Sequence, residues 1–426
     1  MPTPRGMRDF PPEIMLLRRE LMEKIERVFE KFGFDPMETP ILELWESVAG
    51  KYGEEAEKKL MYWFDDPWSG RRYALRYDLT VPLARFIADH PGLPLPFKRY
   101  HIGRVYRHEE PQRGRYREFW QCDIDTIGSQ FPEADAEILE AISTALRKIK
   151  LPGYVVRVND RRILRGIFEK KLGIKNIVDV YRVIDKLDKI GWRGVKEELK
   201  KILPLEKVEK IGELVDFGGS FDDVANNVLE LFRDVEEVRK GVEHLLEMGD
   251  YLKGVPLKFD LSLVRGLDYY TGPIFEIVMK EPKIGSVAGG GRYDELIGKL
   301  SGVNLPATGG SIGIERIIDA GIELGIFKVE RKTVTQVFVV DMGAGDYARK
   351  IARELRESGI NTALDLMRRK WKKQMEHARK MGVPVVVLVG KKEEREGKAV
   401  IIAGNRREEV RREEVTEKIR KILENL

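Results

Sequence analysis

Residues 104 to 125 read Arg-Val-Tyr-Arg-His-Glu-Glu-Pro-Gln-Arg-Gly-Arg-Tyr-Arg-Glu-Phe-Trp-Gln-Cys-Asp-Ile-Asp, and more of the architecture hangs on them than on any other stretch. Two strand-like runs flank a loop that holds Arg113, Arg115 and Arg117, which is more guanidinium than a structural hairpin needs. Planar guanidinium forks pair bidentately with phosphate oxygens, and an aromatic such as Phe119 offers a base a stacking surface. On the second run Gln121 and Asp125 share a face, because strand side chains alternate with a period of two, and Cys122 and Ile124 take the other face. The pattern suits a triphosphate bound on an antiparallel sheet.

Three further segments carry chemistry. Leu263 to Gly272 reads Leu-Val-Arg-Gly-Leu-Asp-Tyr-Tyr-Thr-Gly, with Arg265 near Tyr269 and Tyr270 and glycines on both sides. A buried strand has little use for Arg-Gly-Leu-Asp where its apolar face should continue. A guanidinium that forks onto an anion, phenols that read a polar ring and glycines that let backbone come close describe a site. A second glycine cluster, Gly289 to Gly291, continues as Arg292, Tyr293 and Asp294. Finally, Leu75 to Pro82 places Asp78 and Thr80 two apart, so that on a strand both point to one face and can hold an amine. A turn stabilised by the aspartate side chain fits that piece equally well.

The chain has 426 residues, which predicts two or three domains. Hydrophobic residues make up 42%, and no run of apolar residues is long enough to span a membrane. The first ten residues contain no stretch suited to a signal peptide, so a cytoplasmic location is expected. A single cysteine, Cys122, excludes an intramolecular disulfide framework, and with only five histidines no dedicated metal site is expected. Charged residues reach 35%, a thermophile-like balance. The net charge of +5 is unevenly spread: residues 328–426 hold 25 basic and 16 acidic side chains, and residues 206–250 hold 5 and 13. The basic C-terminal part is a candidate polyanion face.

Along the chain, apolar Ile14, Leu17, Leu21, Ile25 and Phe29 predict a first helix over 12–32, closed by Gly33. Strand-like stretches alternate with turns over 73–127, predicting a largely antiparallel sheet. Residues 160–250 read as amphipathic helices without a strand, and strands resume at 257–261, 274–279 and 285–288. From residue 335 strand and helix alternate, the signature of an α/β sheet domain, after a polar linker at 330–333.

Residues 104–125 match motif 2 of the class II aminoacyl-tRNA synthetases, with Arg107, Glu109 and Phe119 at its key positions. Gly309 to Arg316 matches motif 3, and Gly33 to Glu43, with Pro40, fits the looser motif 1. The segments at Leu263–Gly272 and Gly289–Asp294 resemble the two signature motifs of the histidine enzymes. In this order and spacing the chain resembles the histidyl-tRNA synthetases, members of class IIa, of the archaeal and eukaryotic kind, over essentially its whole length. One stretch, Ala403-Gly-Asn-Arg-Arg407, departs from the expected pattern and leaves the last RNA contacts unassigned.

The resemblance implies an α+β catalytic domain, an antiparallel sheet with flanking helices, in residues 1–159 and 251–328. It implies an all-helical insertion at 160–250 and an anticodon-binding α/β domain at 329–426. It implies an enzyme that activates histidine with ATP and Mg²⁺ to histidyl-adenylate and pyrophosphate, then transfers histidine to the 3′ end of its tRNA. Asp78, Thr80 and Gln121 are then expected to hold the amino group, Asp125 and Tyr269 to read the imidazole, and Tyr270 to complete the pocket. Arg107 and Arg265 are expected to act in catalysis, meeting the histidine carboxylate and the α-phosphate. Glu109, Tyr116, Phe119 and Arg316 are expected to bind ATP with Arg107, the adenine lying between Phe119 and Arg316. Gln112 and Arg113 are expected at the tRNA acceptor end. Partners are a histidine-specific tRNA and a second copy of the chain in a homodimer, with no membrane. The competing reading is a regulatory paralogue resembling the regulatory subunit of ATP phosphoribosyltransferase. Such paralogues lack the C-terminal domain and degrade the arginine and tyrosine motifs that this chain keeps. A threonyl or prolyl specificity is disfavoured by residues 265–270.

Overall fold

The computed structural model describes residues 2–53, 56–264 and 269–425. The chain divides into two compact units, one of Met1–Asp9 with Leu21–Phe327 and one of Phe10–Glu20 with Lys328–Leu426. Among the described residues no helix is long and apolar enough to cross a membrane.

The first unit is built on an eight-stranded sheet. In chain order its strands are β1 (Asp35–Pro36), β2 (Phe97–Tyr106), β3 (Glu118–Ile127), β4 (Tyr154–Asp160), β5 (Leu257–Phe259), β6 (Pro273–Met279), β7 (Ser286–Arg292) and β8 (Ala307–Gly313). Their spatial order is β1-β2-β3-β8-β7-β6-β4-β5. The outermost pair at each edge is parallel, and every pairing between is antiparallel. The predicted antiparallel core is therefore present, with β2 and β3 as the hairpin on either side of the arginine loop.

Strand β3 shows why the sheet has two different faces. Cys122 and Ile124 are fully buried on one side, where helix α3 (Pro132–Lys148) brings Ile138 and Ile142. The helix sits so close that a Cβ on Gly310 would fall 2.6 Å from Ile142 Cδ1. The opposite side carries Gln121, Asp123 and Asp125, also buried. Pairing register extends each into a row: Asp125 faces Arg99 and Gly309, Asp123 faces His101 and Ser311, and Gln121 faces Gly103 and Gly313. Burying so many polar groups at the centre of a sheet is costly unless they are paired with one another or with a ligand.

One expectation needs correction. The 73–127 stretch is not strands and turns alone, because Thr80–Asp89 forms helix α2 (numbering α1 as Pro12–Lys31). Pro82 fits its first turn, where a missing N–H costs nothing, and Val81, Ala84 and Ile87 bury one side. Asp78 and Thr80 consequently do not share a strand face. Asp78 Oδ1 accepts from the N–H groups of Thr80 and Val81, at 3.2 and 3.0 Å, and so caps the helix start.

Residues 177–251 are helical as expected, in five helices of which the last, α4, is Glu236–Tyr251. A buried carboxylate ties α4 to the sheet. Asp135 Oδ2, on α3, lies 2.8 Å from Nε2 of His244 on α4 and accepts from Arg292 of β7 at 2.6 Å. Three side chains at most 9% exposed thus satisfy one another.

The second unit holds a five-stranded sheet of β9 (Val337–Met342), β10 (Thr362–Leu364), β11 (Val385–Gly390), β12 (Lys398–Ala403) and β13 (Arg406–Arg411), ordered β10-β9-β11-β12-β13. β9 pairs in parallel with β10 and β11, while β12 and β13 are antiparallel additions. Val337, Val339, Val385 and Val387 pack under the helix Gly345–Glu357, and Phe338, Val340 and Leu388 pack with Ala378 of the helix Trp371–Lys380. Both faces of β11 are covered, so its sequence is an unbroken apolar run. The stretch at Ala403–Arg407 is a two-residue hairpin turn, with Gly404 at φ 56°.

Candidate active site

A cavity of about 540 Å³ opens on the polar face of the central sheet, floored by β3, β8, β7 and β6. Asp78, Thr80, Arg107, Glu109, Tyr116, Phe119, Gln121, Tyr269, Tyr270 and Arg316 all line it. Residues up to 238 positions apart in sequence therefore meet in one place, as the motif reading requires. Arg265 lies outside the described residues.

One end of the cavity is a buried cluster around Asp78. Tyr52 donates its hydroxyl to Asp78 Oδ1 at 2.9 Å, and Tyr269 donates to Oδ2 at 3.1 Å. Burial pushes the Asp78 carboxyl above its usual range, against the pull of the Val81 N–H, Tyr52, Arg107 and Tyr269. Burial likewise raises the phenols of Tyr52, Tyr269 and Tyr270, which stay neutral donors. The rings of Tyr269 and Tyr270 meet edge to face, with centroids 4.9 Å apart.

Arg107 follows directly on β2 and stands between this cluster and the aromatic wall. Its Nε donates to the Tyr77 carbonyl at 3.1 Å, and its guanidinium lies 4.5 Å from the Tyr77 ring and 5.2 Å from that of Phe119. Burial alone would lower its pKa, but the Tyr77 phenol and the carboxylates of Glu109 and Asp78 outweigh it and hold the group above its ordinary value. The charge is permanent and preorganised.

Arg316, at the start of helix α5 (Ile314–Glu323), is clamped by backbone: Nε donates to the Gly114 carbonyl at 2.5 Å and Nη1 to that of Ser286 at 2.6 Å. Glu315 accepts from the Trp120 N–H at 2.9 Å, pinning that helix to β3. Tyr116 donates to Asp319 of the same helix, under the guanidinium of Arg8 at 4.0 Å. Arg115 reaches Glu109 at 3.4 Å. The motif 2 loop is thereby tied to the motif 3 helix at several points.

Not every expected residue lines the cavity. Asp125 is absent from its lining, and its carboxylate accepts from Tyr293 and lies 2.8 Å from Arg99. Gly309 makes room for it, since a Cβ there would sit 2.0 Å from Asp125 Oδ1. Gln112 and Arg113 are also outside the lining, on the exposed loop, where Arg113 pairs with Glu323. Sequence reading gave no role to Tyr52, Tyr77, Arg99 or Asp123, and it quoted Tyr293 and Ser311 only as members of the second glycine segment and of motif 3. Tyr52 and Arg99 carry no local signal, because they join the site through a distant turn and through pairing across the sheet.

The second unit presents a different surface. Leu366 and Met367 are 91% and 74% exposed beside Arg368, at φ 53°, and Trp371 is 42% exposed. Asp365 anchors this loop by accepting from the Arg369 N–H at 2.7 Å and its Nε at 2.5 Å. Exposed apolar and aromatic groups set among Arg368, Lys370, Lys372 and Lys373 form a cationic stacking surface.

The chain matches the family described as histidyl-tRNA synthetase over residues 6–317, and the anticodon binding domain over residues 335–422. It is 56% identical over 393 residues to a histidine–tRNA ligase of Aeropyrum pernix, covering 92% of this chain and 90% of that one. To a histidine–tRNA ligase of Korarchaeum cryptofilum it is 51% identical over 423 residues, covering 99% and 98%. The crystal structure of histidyl-tRNA synthetase from Nostoc sp. PCC 7120 is similar with a TM-score of 0.84 at 32% identity, covering 99% of each chain. These matches, and a cavity that gathers the arginines, tyrosines and carboxylates of the class II motifs, agree: the chain belongs to the histidyl-tRNA synthetase family.

Proposed function

We propose how the cavity serves the histidine–tRNA ligase activity that family membership gives this chain. Histidine lies over β3 with its amino group at Asp78, Thr80 and Gln121, and its imidazole between Asp125 and the phenol of Tyr269, with Tyr270 closing the pocket. A carboxylate and a phenol facing the two ring nitrogens reject side chains without that donor and acceptor pattern, because unpaired buried polar groups are costly. ATP lies along the wall formed by Phe119 and Arg316, its phosphates near Arg107, Glu109 and Tyr116, and Arg265 approaches the α-phosphate. The observation that carries this reading is the position of Arg107, permanently charged and set between the Asp78 cluster and Phe119.

The histidine carboxylate attacks the α-phosphorus, the bond to the β-phosphate oxygen breaks, and pyrophosphate leaves. No general base is needed, since the nucleophile is already ionised. Arg107 and Arg265 offset the charge that builds on the phosphoryl oxygens. Mg²⁺ accompanies the ATP phosphates, consistent with an ion that keeps several waters and binds through substrate more than through a protein cage. In the second step a terminal adenosine hydroxyl attacks the activated carbonyl, AMP leaves, and Gln112 and Arg113 hold the acceptor end. We assign residues 1–159 and 251–328 to the catalytic domain, 160–250 to a helical insertion and 329–426 to the anticodon-binding domain. Leu366 to Lys373 supply RNA contacts there.

The working form is a cytoplasmic homodimer. Leu42, Leu44, Trp63 and Phe64, each between 38% and 46% exposed, lie on a separate three-stranded sheet of Leu42–Leu44, Trp63–Asp65 and Arg72–Leu75 that overlaps the end of motif 1, and they support that association. Sedimentation at twice 49.1 kDa is expected, and a monomer would contradict it. The reading as a whole is tested by exchange of labelled pyrophosphate into ATP. Exchange is expected with histidine and with none of the other amino acids. Binding of histidine without exchange would favour a regulatory role instead.

A further inference from the structure

We propose that the turn at residues 4–8 clamps the motif 2 loop, and that Arg8 is a positioning residue for ATP because it fixes Tyr116 of that loop against the motif 3 helix. The inference rests on the reading of the cavity as the histidine and ATP site, and adds to it a segment that belongs to none of the motifs.

The loop has few bonds of its own. Gln112 and Arg115 exchange backbone hydrogen bonds at 3.3 and 2.8 Å, and Arg117 Nε donates to the Glu109 carbonyl at 2.9 Å. The turn supplies further holds. Its Met7 N–H donates to the Pro4 carbonyl at 3.0 Å, and its Gly6 carbonyl accepts from the Arg117 N–H at 2.8 Å. Gly6 has a φ of 82°, and a Cβ there would meet Arg117 Cγ and Pro111 Cγ, each at 2.8 Å. The turn therefore lies flush against both ends of the loop, in a conformation and a space that suit glycine. Arg5 also pairs with Glu110, but both side chains are exposed, so that contact adds little.

Arg8 differs from Arg5 because it joins three parts of the fold. Its guanidinium lies 4.0 Å from the centre of the Tyr116 ring, and its Nη2 is 3.5 Å from Oδ1 of Asp319 on α5. The other oxygen of Asp319 accepts the Tyr116 hydroxyl. Burial and that hydrogen bond push the Tyr116 phenol up to about 12, so it stays a neutral donor. Tyr116 lines the cavity, whereas neither Arg8 nor Asp319 is among the described residues that do, so their effect on a ligand passes through Tyr116. A cation–π contact and a half-exposed ion pair are each weak. Placed on one guanidinium, they restrict the loop before ATP arrives and so reduce the ordering that binding must supply.

The test is run on the full-length protein. Wild-type exchange of pyrophosphate with histidine is measured first, and its absence would remove the site reading on which the inference stands. Given that exchange, Arg8→Ala is expected to raise the KM for ATP about fivefold, the scale of one cation–π contact and one ion pair together. The KM for histidine should stay within about twofold of wild type, because the clamp acts on the ATP end of the cavity. Arg8→Lys, which keeps a cation over Tyr116 and beside Asp319, should bring the KM for ATP back to within about twofold of wild type. Limited digestion with trypsin gives a readout independent of activity, since the loop carries Arg113 and Arg115. Cleavage there should be faster in Arg8→Ala than in wild type, with cleavage elsewhere unchanged. An unchanged KM for ATP, an equal rise for both substrates, or equal cleavage of the loop in variant and wild type overturns the assignment. Asp319→Asn, which keeps the shape and removes the charge that holds Arg8, gives the same contrasts if the alanine variant does not fold.

Discussion

Tyr269 donates its hydroxyl to Asp78 at 3.1 Å, a contact between residues 191 positions apart that Tyr52 completes at 2.9 Å on the other carboxylate oxygen. A carboxylate held from both sides, and by the N–H groups of Thr80 and Val81 as well, cannot swing.

Tyr52→Phe or Tyr269→Phe removes one of these donors from a buried carboxylate. Each is expected to raise the KM for histidine roughly fivefold to tenfold, the cost of one such hydrogen bond, with the KM for ATP little changed. Pyrophosphate exchange at varied histidine and ATP reads both. A rise confined to ATP would contradict the placement of this cluster at the amino-acid end.

Replacing the buried guanidinium tests the charge assigned to the attack on phosphorus. Arg107→Ala and Arg265→Ala are each expected to slow adenylate formation by about 10²-fold or more, while circular dichroism stays unchanged. Normal exchange in either variant would refute its catalytic role.

The carboxyl of Asp123 predicts a pH-dependent stability difference. Burial raises it from 3.8 to about 7, helped by Asp125 and opposed by Arg99 and Ser311. The unfolded chain ionises this group first, so folding pays an increasing cost as pH rises from 3.8 to about 7, and the full cost above that. Asp123→Asn escapes that cost. Without ligand, its melting temperature relative to wild type should climb between pH 5 and 8, read by calorimetry at each pH. A gap that narrows with rising pH would mean the carboxylate is stabilised where it sits.

In the C-terminal unit, changing Arg368, Lys370, Lys372 and Lys373 to glutamine should leave pyrophosphate exchange intact. It should raise the KM for tRNA and flatten the dependence of charging on salt, by up to about one unit of slope per lost phosphate contact. Unchanged charging at every salt concentration would remove this loop from the RNA surface.

Much of this was legible before any coordinates. The period of two in β3 placed Gln121 and Asp125 opposite Cys122 and Ile124, because the rule depends only on the pleat. Helix α2 escaped notice because Thr80 to Ala84 is buried nearly all round, which erases the polar stripe by which an amphipathic helix is recognised. Asp123 was hidden for another reason. Three polar residues alternate along β3, and their local sequence treats them alike. Only the register with β2 and β8 sets Asp125 beside Arg99 and Gly309, and Asp123 beside His101 and Ser311. Tyr52 likewise joins the site through a distant contact with Asp78 that no local pattern encodes.

Gly289 and Gly290 are adjacent, and the pleat turns them to opposite sides of the sheet. A methyl group on Gly290 would strike the Gly309 carbonyl at 2.1 Å, whereas one on Gly289 would press on the Phe275 carbonyl at 3.3 Å. The first clash has no relief short of unpairing two strands, while the second asks its neighbour to give by a few tenths of an ångström. Within a single dipeptide, one position is closed to any side chain and the other only by a narrow margin.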